Sequence, residues 1–195
     1  MTRNPLIVIP LKAFDQAKSR LGQRLSPDRR TRLAHRLCVR TLSFLARHFP
    51  EHDRLVVTAS ASIASLAATH GAQVLVEPGV DGLSRAASRA AAWACRHGYA
   101  AQLLIPADIV QLDEAEIGQL LATWEDGAEV AICPASDGGT NALLTAPPDA
   151  LAFHFGPDSA AAHRHEALRR GLSCRVLALN HLSFDLDTPT DLNTL

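Results

Sequence analysis

No apolar run in this chain approaches the ~18 residues that a membrane span needs. Residues 1–10 also lack the extended apolar stretch and small-residue cleavage site of a secretory leader, so the cytoplasm is the expected address and no membrane partner is expected. Aromatic residues make up 5% of the 195 and the formal net charge is -1. Nucleic-acid binding usually calls for a basic surface with stacking rings, so it is not expected either. Cys38, Cys95, Cys133 and Cys174 stand singly, without the CxxC spacing of a zinc site or the density of a disulfide framework. They read as buried reduced thiols, with Cys38 and Cys95 inside apolar helix faces. GxSxG, HExxH and Walker A motifs are missing. No GxGxxG follows the first strand, which argues against a dinucleotide oxidoreductase. His163 and His165, two apart on a predicted helix, cannot share a face as a metal pair.

What is present is ordinary for a soluble globular protein, with 47% hydrophobic and 20% charged residues. The length suits one domain over residues 1–195, with a sizeable core. Short apolar runs alternate with longer amphipathic ones, the pattern of successive βα units, so the fold class is α/β with a largely parallel sheet. Strands are predicted at Leu6–Pro10, Leu55–Thr58, Gln73–Val76, Leu103–Ile105, Val130–Cys133, Asn141–Thr145 and Arg175–Leu179. Ser26-Pro27 opens a helix running to about Arg47. Gly71, Gly98 and Gly171 close helical stretches at 60–70, 83–97 and 159–170. Asp113, Glu114 and Glu116 mark a further helix start, and Thr188-Pro189-Thr190-Asp191 marks a last one.

Lysine is the scarcest charge. Seventeen arginines accompany only two lysines, Lys12 and Lys18, and both follow the first strand. A compact ammonium matches phosphate, whereas arginine suits bidentate pairing. With Arg20, the stretch after Pro10 would bring three cations to the carboxyl end of a parallel strand, where ligands of open α/β sheets bind. Solvated surface lysines are the plainer alternative. Residues 1–54 hold twelve Lys and Arg against four Asp and Glu, and the remainder reverses the balance with seven against sixteen. That asymmetry fits an anionic ligand clamped on one side and a metal held on the other. Most of the arginines, including Arg29, Arg30, Arg32, Arg36, Arg40 and Arg47, read as one solvated helix face.

Three aspartates stand at predicted strand ends. Asp108 closes Leu103–Asp108, and Asp185 and Asp187 point to one side of an extended segment. If Asp108 faces them, the three can share a hard cation. Magnesium is the natural candidate, because it takes one or two carboxylates plus substrate phosphates. A helix cap at Asp187 or Thr188 is the competing explanation. Asp137-Gly138-Gly139-Thr140 could turn its backbone N–H groups toward an anion, with the Thr140 hydroxyl as a further donor. A plain hairpin turn explains it equally well. Gly156 permits close backbone approach and Ser159 stands near a helix amino terminus suited to an anion. An N-cap at Asp158 or Ser159 is the alternative there. The loop from Glu77 to Arg85 could cradle a base or ribose through Ser84, with Arg85 near a phosphate, or could simply connect.

Ile9-Pro10-Leu11-Lys12 with Ala17–Leu21, then Pro106-Ala107-Asp108, Asp137–Asn141, Phe155-Gly156 with Ser159 and His163, and Phe184–Pro189 together resemble the 2-phospho-L-lactate guanylyltransferase family over nearly the whole chain. The resemblance implies a Rossmann-like nucleotidyltransferase fold with a mixed sheet, and synthesis of an activated phospho-acid for the deazaflavin coenzyme. It implies Mg²⁺ held by Asp108, Asp185 and Asp187, the phospho-acid held by Thr140, Gly156 and Ser159, and GTP met by Leu11, Lys12, Lys18, Arg20, Gly82, Ser84 and Asp108. Two departures stand out: Gly82-Leu83-Ser84 replaces the usual Gly-Leu-Asn, and Ile109-Val110 replaces Leu-Pro. The acceptor stays open among 2-phospho-L-lactate, phosphoenolpyruvate and 3-phospho-D-glycerate. A sugar-phosphate or molybdopterin-type nucleotidyltransferase, or a non-catalytic nucleotide-binding protein, remains the alternative, and a homodimer is compatible with the sequence.

Overall fold

A computed structural model describes residues 3–18, 21–22 and 24–186. Arg20, Asp187 and the helix start expected at Thr188-Pro189 lie outside them. Seven strands form one sheet: β1 (Leu6–Pro10), β2 (Arg54–Thr58), β3 (Gln73–Val76), β4 (Gln102–Leu104), β5 (Val130–Pro134), β6 (Thr140–Thr145) and β7 (Cys174–Val176). Five helices connect them: α1 (Pro27–His48), α2 (Ala61–Thr69), α3 (Leu83–Arg96), α4 (Glu114–Glu125) and α5 (Ser159–Arg169). The strand order is β3-β2-β1-β4-β6-β5-β7.

The interiors of the central strands, Leu6–Ile9, Leu55–Val57 and Ala142–Leu144 among them, are apolar and buried because helices cover both faces of the sheet there. Ile7, Ile9, Val56 and Leu103 pack on one side with Cys38 and Leu42 of α1, Ile63 of α2 and Ile117 and Leu120 of α4. Leu6, Val8, Leu55 and Leu104 pack on the other with α3 and Ala167 of α5. The buried face of α3 is Ala86, Ala87, Ala90, Ala91 and Ala94, so that helix approaches the sheet without bulky side chains. Gly71, Gly98 and Gly171 adopt φ of 70°, 77° and 71° just past α2, α3 and α5, as helix-ending glycines do.

One strand departs from the parallel pattern. β6 runs antiparallel to both β4 and β5, while the other pairings are parallel. Its first residue, Thr140, therefore lies at the sheet edge where the parallel strands end. The β5–β6 connection carries a register shift at Cys133/Pro134.

Two sequence expectations about side chains are corrected. Cys38 and Cys133 are buried, but Cys95 is exposed and Cys174 only half-buried, because Cys95 falls outside the alanine stripe that α3 turns to the sheet. Arg40 is not part of a solvated face. Its guanidinium donates to the carbonyl oxygens of Ile109 and Val110, at 2.7 Å for the latter, and burial lowers its pKa.

Candidate active site

The carboxyl ends of β1 and β4, the start of β6 and the amino end of α5 surround a cleft of about 630 Å³. Leu11, Lys12, Lys18, Gly82, Asp108, Thr140, Gly156, Ser159 and Asp185 all line it. Ser84 does not. Its hydroxyl accepts the backbone N–H of Phe155 at 2.9 Å, so it ties the start of α3 to the Phe155-Gly156 loop instead of facing the cleft.

Asp108 is positioned from three sides. Thr41 donates to the carbonyl of Ala107 at 3.1 Å, and Arg40 grips the two carbonyls that follow Asp108. Ile109 forms an antiparallel bridge with Asp185, with Leu186 N–H donating to Asp108 O and Val110 N–H to Phe184 O, each at 3.0 Å. This short ladder brings two acids from distant parts of the chain to one edge of the cleft. Asn141 then holds the second, donating through Nδ2 to Leu182 O at 3.0 Å and to Asp185 Oδ1 at 3.3 Å. The buried carboxylate of Glu116 fastens the preceding turn by accepting the backbone N–H groups of His181 and Leu182.

Arg40→Met removes two charge-assisted donors to otherwise internal carbonyls and should lower unfolding free energy by about 2 kcal/mol. Urea denaturation at neutral pH measures it, and an unchanged midpoint would show that the grip on the Asp108 loop contributes nothing.

Lys18 is ion-paired with Asp108 Oδ2, and the lysine side chain is 5% exposed. Lys18 itself adopts a left-handed φ of 57°, a conformation that costs a non-glycine residue on the order of 1 kcal/mol. Asp108 Oδ1 is buried and takes no hydrogen bond. A carboxylate oxygen left without a donor inside a cleft fits a cation, because desolvation without compensation is costly. The residues present therefore suit a hard divalent ion at Asp108 and Asp185. Among the described residues no three acidic, histidine or cysteine side chains form a metal cluster; Asp187, the third expected ligand, lies outside them.

The glycine pair after β5 resolves as a hairpin turn. Gly138 N–H donates to Ala135 O and Gly139 N–H to Asp137 Oδ1, at 3.0 and 2.9 Å, so neither amide is left for an anion. The backbone requires glycine at Gly138, whereas at Gly139 a side chain would only displace the exposed Asp137 carboxylate. A Cβ on Gly139 would lie 2.9 Å from Asp137 Oδ1, and Gly138 combines a φ of 86° with Asp158 Oδ1 at 3.2 Å from the Cβ position. The turn's contribution to the cleft is the Thr140 hydroxyl. It lies 2.9 Å from Ser159 Oγ and 3.1 Å from His163 Nδ1. Asp158 occupies the N-cap position of α5 without a side-chain cap bond, and Ser159, the first residue of the helix, has its hydroxyl within hydrogen-bond distance of Thr140.

Sequence reasoning assigned no site role to five contributors. Arg40 and Asn141 act through long-range contacts that no local pattern reveals. His163 is fully buried behind Thr140. Glu77 and Asp81 line the far end of the cleft, both bound by Arg89 at 2.7 and 2.5 Å, and that arginine holds the Asp81 carboxyl below its usual range.

Comparison with known proteins decides what this arrangement belongs to. The family model described as "Guanylyl transferase CofC like" matches residues 5–195. The chain belongs to that guanylyltransferase family. It is 46% identical over 189 residues to a 3-phospho-D-glycerate guanylyltransferase of Colwellia psychrerythraea, covering 97% of this chain and 90% of that protein. It is 36% identical over 191 residues to a phosphoenolpyruvate guanylyltransferase of Sphaerobacter thermophilus (97% and 91% covered). Against a 2-phospho-L-lactate guanylyltransferase of Methanothermobacter thermautotrophicus it is 35% identical over 189 residues (96% and 82% covered). A crystal structure described as a nucleotide-diphospho-sugar transferase from Desulfovibrio desulfuricans G20 shares the fold with a TM-score of 0.77 at 20% identity, covering 98% of this chain and 86% of that one. A 4-diphosphocytidyl-2C-methyl-D-erythritol synthase does so with 0.67 at 13%, covering 98% and 97%. This CofC-like chain is thus a nucleotidyltransferase. No described helix is long and apolar enough to cross a membrane.

Proposed function

We propose that this guanylyltransferase moves GMP from GTP to the phosphate of a small three-carbon phospho-acid, with 3-phospho-D-glycerate preferred, and that the product serves synthesis of the deazaflavin coenzyme. The observation that carries the reaction class is the cleft itself, which Lys12, Lys18, the carboxylates of Asp108 and Asp185 and the hydroxyls of Thr140 and Ser159 line together. The acceptor preference rests on identity of 46% to the glycerate enzyme against 36% and 35% to the phosphoenolpyruvate and phospholactate enzymes.

An acceptor phosphate oxygen forms a bond to the α-phosphorus of GTP, and the bond from that phosphorus to the β-phosphate oxygen breaks, releasing pyrophosphate. No protein base is required, since a phosphomonoester with a second pKa of ~6 is mostly ionised at neutral pH. Asp108 and Asp185, with Asp187, would hold Mg²⁺, which when bound offsets charge on the nucleotide phosphates. Lys12 and Lys18 place ammonium charge beside the departing pyrophosphate. Thr140, Gly156 and Ser159 orient the acid, and Arg20, outside the described residues, would add a further cation for the nucleotide phosphates. Positioning and electrostatics supply the rate.

At the opposite end, Glu77 and Asp81 offer carboxylate oxygens to the cleft. A guanine edge presents two adjacent N–H donors, which match one carboxylate, whereas adenine presents a single donor beside an acceptor. Glu77→Gln should therefore narrow the preference for GTP over ATP by about 10-fold in kcat/KM. Equal loss with both nucleotides would assign Glu77 to structure alone.

The test of the proposed reaction is pyrophosphate release from GTP and Mg²⁺ with each of the three acids supplied separately. Release with 3-phospho-D-glycerate at the highest kcat/KM is the expected result. A preference for another acid overturns the assigned acceptor, and silence with all three overturns the reaction.

A further inference from the structure

His163 is a buried imidazole that the transfer chemistry does not use. It is fully enclosed, stands edge-on to Phe155 with ring centroids 4.9 Å apart, and has the neighbouring ring of His154 at 6.5 Å. Its two nitrogens have different partners. Nε2 lies 2.9 Å from the backbone N–H of His154, and Nδ1 lies 3.1 Å from Thr140 Oγ1.

A backbone amide can only donate, so Nε2 must be the bare nitrogen. The proton of the neutral ring is then on Nδ1, and Nδ1–H donates to Thr140. Burial favours that neutral ring, bringing the pKa down to about 4.

We infer that His163 is a positioning residue for the acceptor acid: its fixed tautomer leaves one hydroxyl proton of the Thr140–Ser159 pair pointing into the cleft as a hydrogen-bond donor to an anionic oxygen. The count of protons gives the reason. Thr140 and Ser159 have one hydroxyl proton each, and the 2.9 Å bond between them consumes one. With His163 donating, the other is left over for the cleft, whichever of the two hydroxyls bears it. With the opposite tautomer Thr140 would donate to Nδ1, Ser159 would donate to Thr140, and the pair would show only lone pairs to an incoming phosphate or carboxylate. The amide of His154 thus sets the direction of hydrogen bonding two residues away, through a ring that never meets the substrate.

This inference rests on the proposed acceptor site, and its test separates the two. Imidazole ¹⁵N shifts of the wild-type protein should show His163 Nδ1 protonated and Nε2 bare, without any substrate present; the reverse assignment overturns the inference. In steady-state assays with GTP and 3-phospho-D-glycerate, His163→Phe keeps the ring volume and removes both nitrogens. It should raise KM for the acid about 10- to 100-fold, the range for one hydrogen bond to a charged group, with KM for GTP held within about 3-fold. His163→Asn, which can return an N–H near the Nδ1 position, should recover most of that loss. An unchanged acid KM in His163→Phe, or an equal rise in both KM values, overturns it. If the wild type turns over none of the acids, the acceptor reading fails while the nitrogen shifts still decide the tautomer.

Discussion

Asp108→Asn is expected to lower kcat by about 10³-fold or more while leaving the circular dichroism and the urea midpoint of the protein close to wild type. Asparagine keeps the volume of the side chain, and the hydrogen bonds that fix the loop, from Leu186 N–H to Asp108 O and from the Thr41 hydroxyl to Ala107 O, do not involve the carboxyl group. What disappears is charge at two oxygens with different surroundings. Oδ2 faces the Lys18 ammonium and Oδ1 is buried without a donor. An amide would put N–H protons where the proposed cation would sit, or else keep its carbonyl there with no formal charge. Asp185 shares its Oδ1 with Asn141, so Asp185→Asn should be milder and should appear chiefly as a rise in the Mg²⁺ concentration needed for half-maximal rate. Turnover near wild type in Asp108→Asn would remove the metal reading. A large loss in a variant with an intact fold would support it.

The acids show what a single chain reveals of its own site. Periodicity places β1 to β6 within a residue, because a buried strand has to be apolar on both faces, whereas β7 stops at Val176, three residues short of the expected Leu179; the glycines at 71, 98 and 171 close their helices for a backbone reason visible in one letter. Asp108 stood out because it ends an apolar run, as ligand-facing residues of such sheets do. That it meets Asp185 depends on the two-residue bridge between Ile109 and Asp185, a long-range pairing with no local signature. The reversal of β6 is equally hidden, although it puts Thr140 in the cleft. Ser84 looked like a nucleotide contact only because it follows Gly82 in a loop, and it serves Phe155 instead. Arg40 was submerged in an arginine-rich helix whose other members gave no reason to single it out. His163 was visible only as part of a family pattern, since its work depends on which amide happens to face each nitrogen.

The same histidine should make the protein acid-sensitive in a defined window. In the unfolded chain a histidine titrates near 6.5, and in the folded protein burial, with the His154 ring nearby, holds His163 to about 4. Above pH 6.5 the ring is neutral in both states and its contribution is fully present. Between 6.5 and 4 the unfolded chain gains a proton that the folded protein does not, so stability falls as pH falls, by about 1.4 kcal/mol per unit and about 3 kcal/mol in total. Below pH 4 the folded ring charges too and the loss levels off. Other groups also titrate on this path, and Glu166 is held to about 2 by Arg169 and Arg170, so the useful quantity is a difference between proteins. His163→Phe lacks the titrating ring and also loses the bonds to His154 and Thr140, which makes it less stable than wild type at pH 7. As pH is lowered to 4 the gap in unfolding free energy should shrink by about 3 kcal/mol, because only the wild type suffers the His163 penalty. Urea unfolding of both proteins at half-unit steps from pH 7 to pH 4 measures this directly. A gap that stays constant across the window would mean that the buried ring accepts its proton as easily in the folded protein as in the open chain, and the pocket around His163 would then have to be wetter than its packing against Phe155 allows.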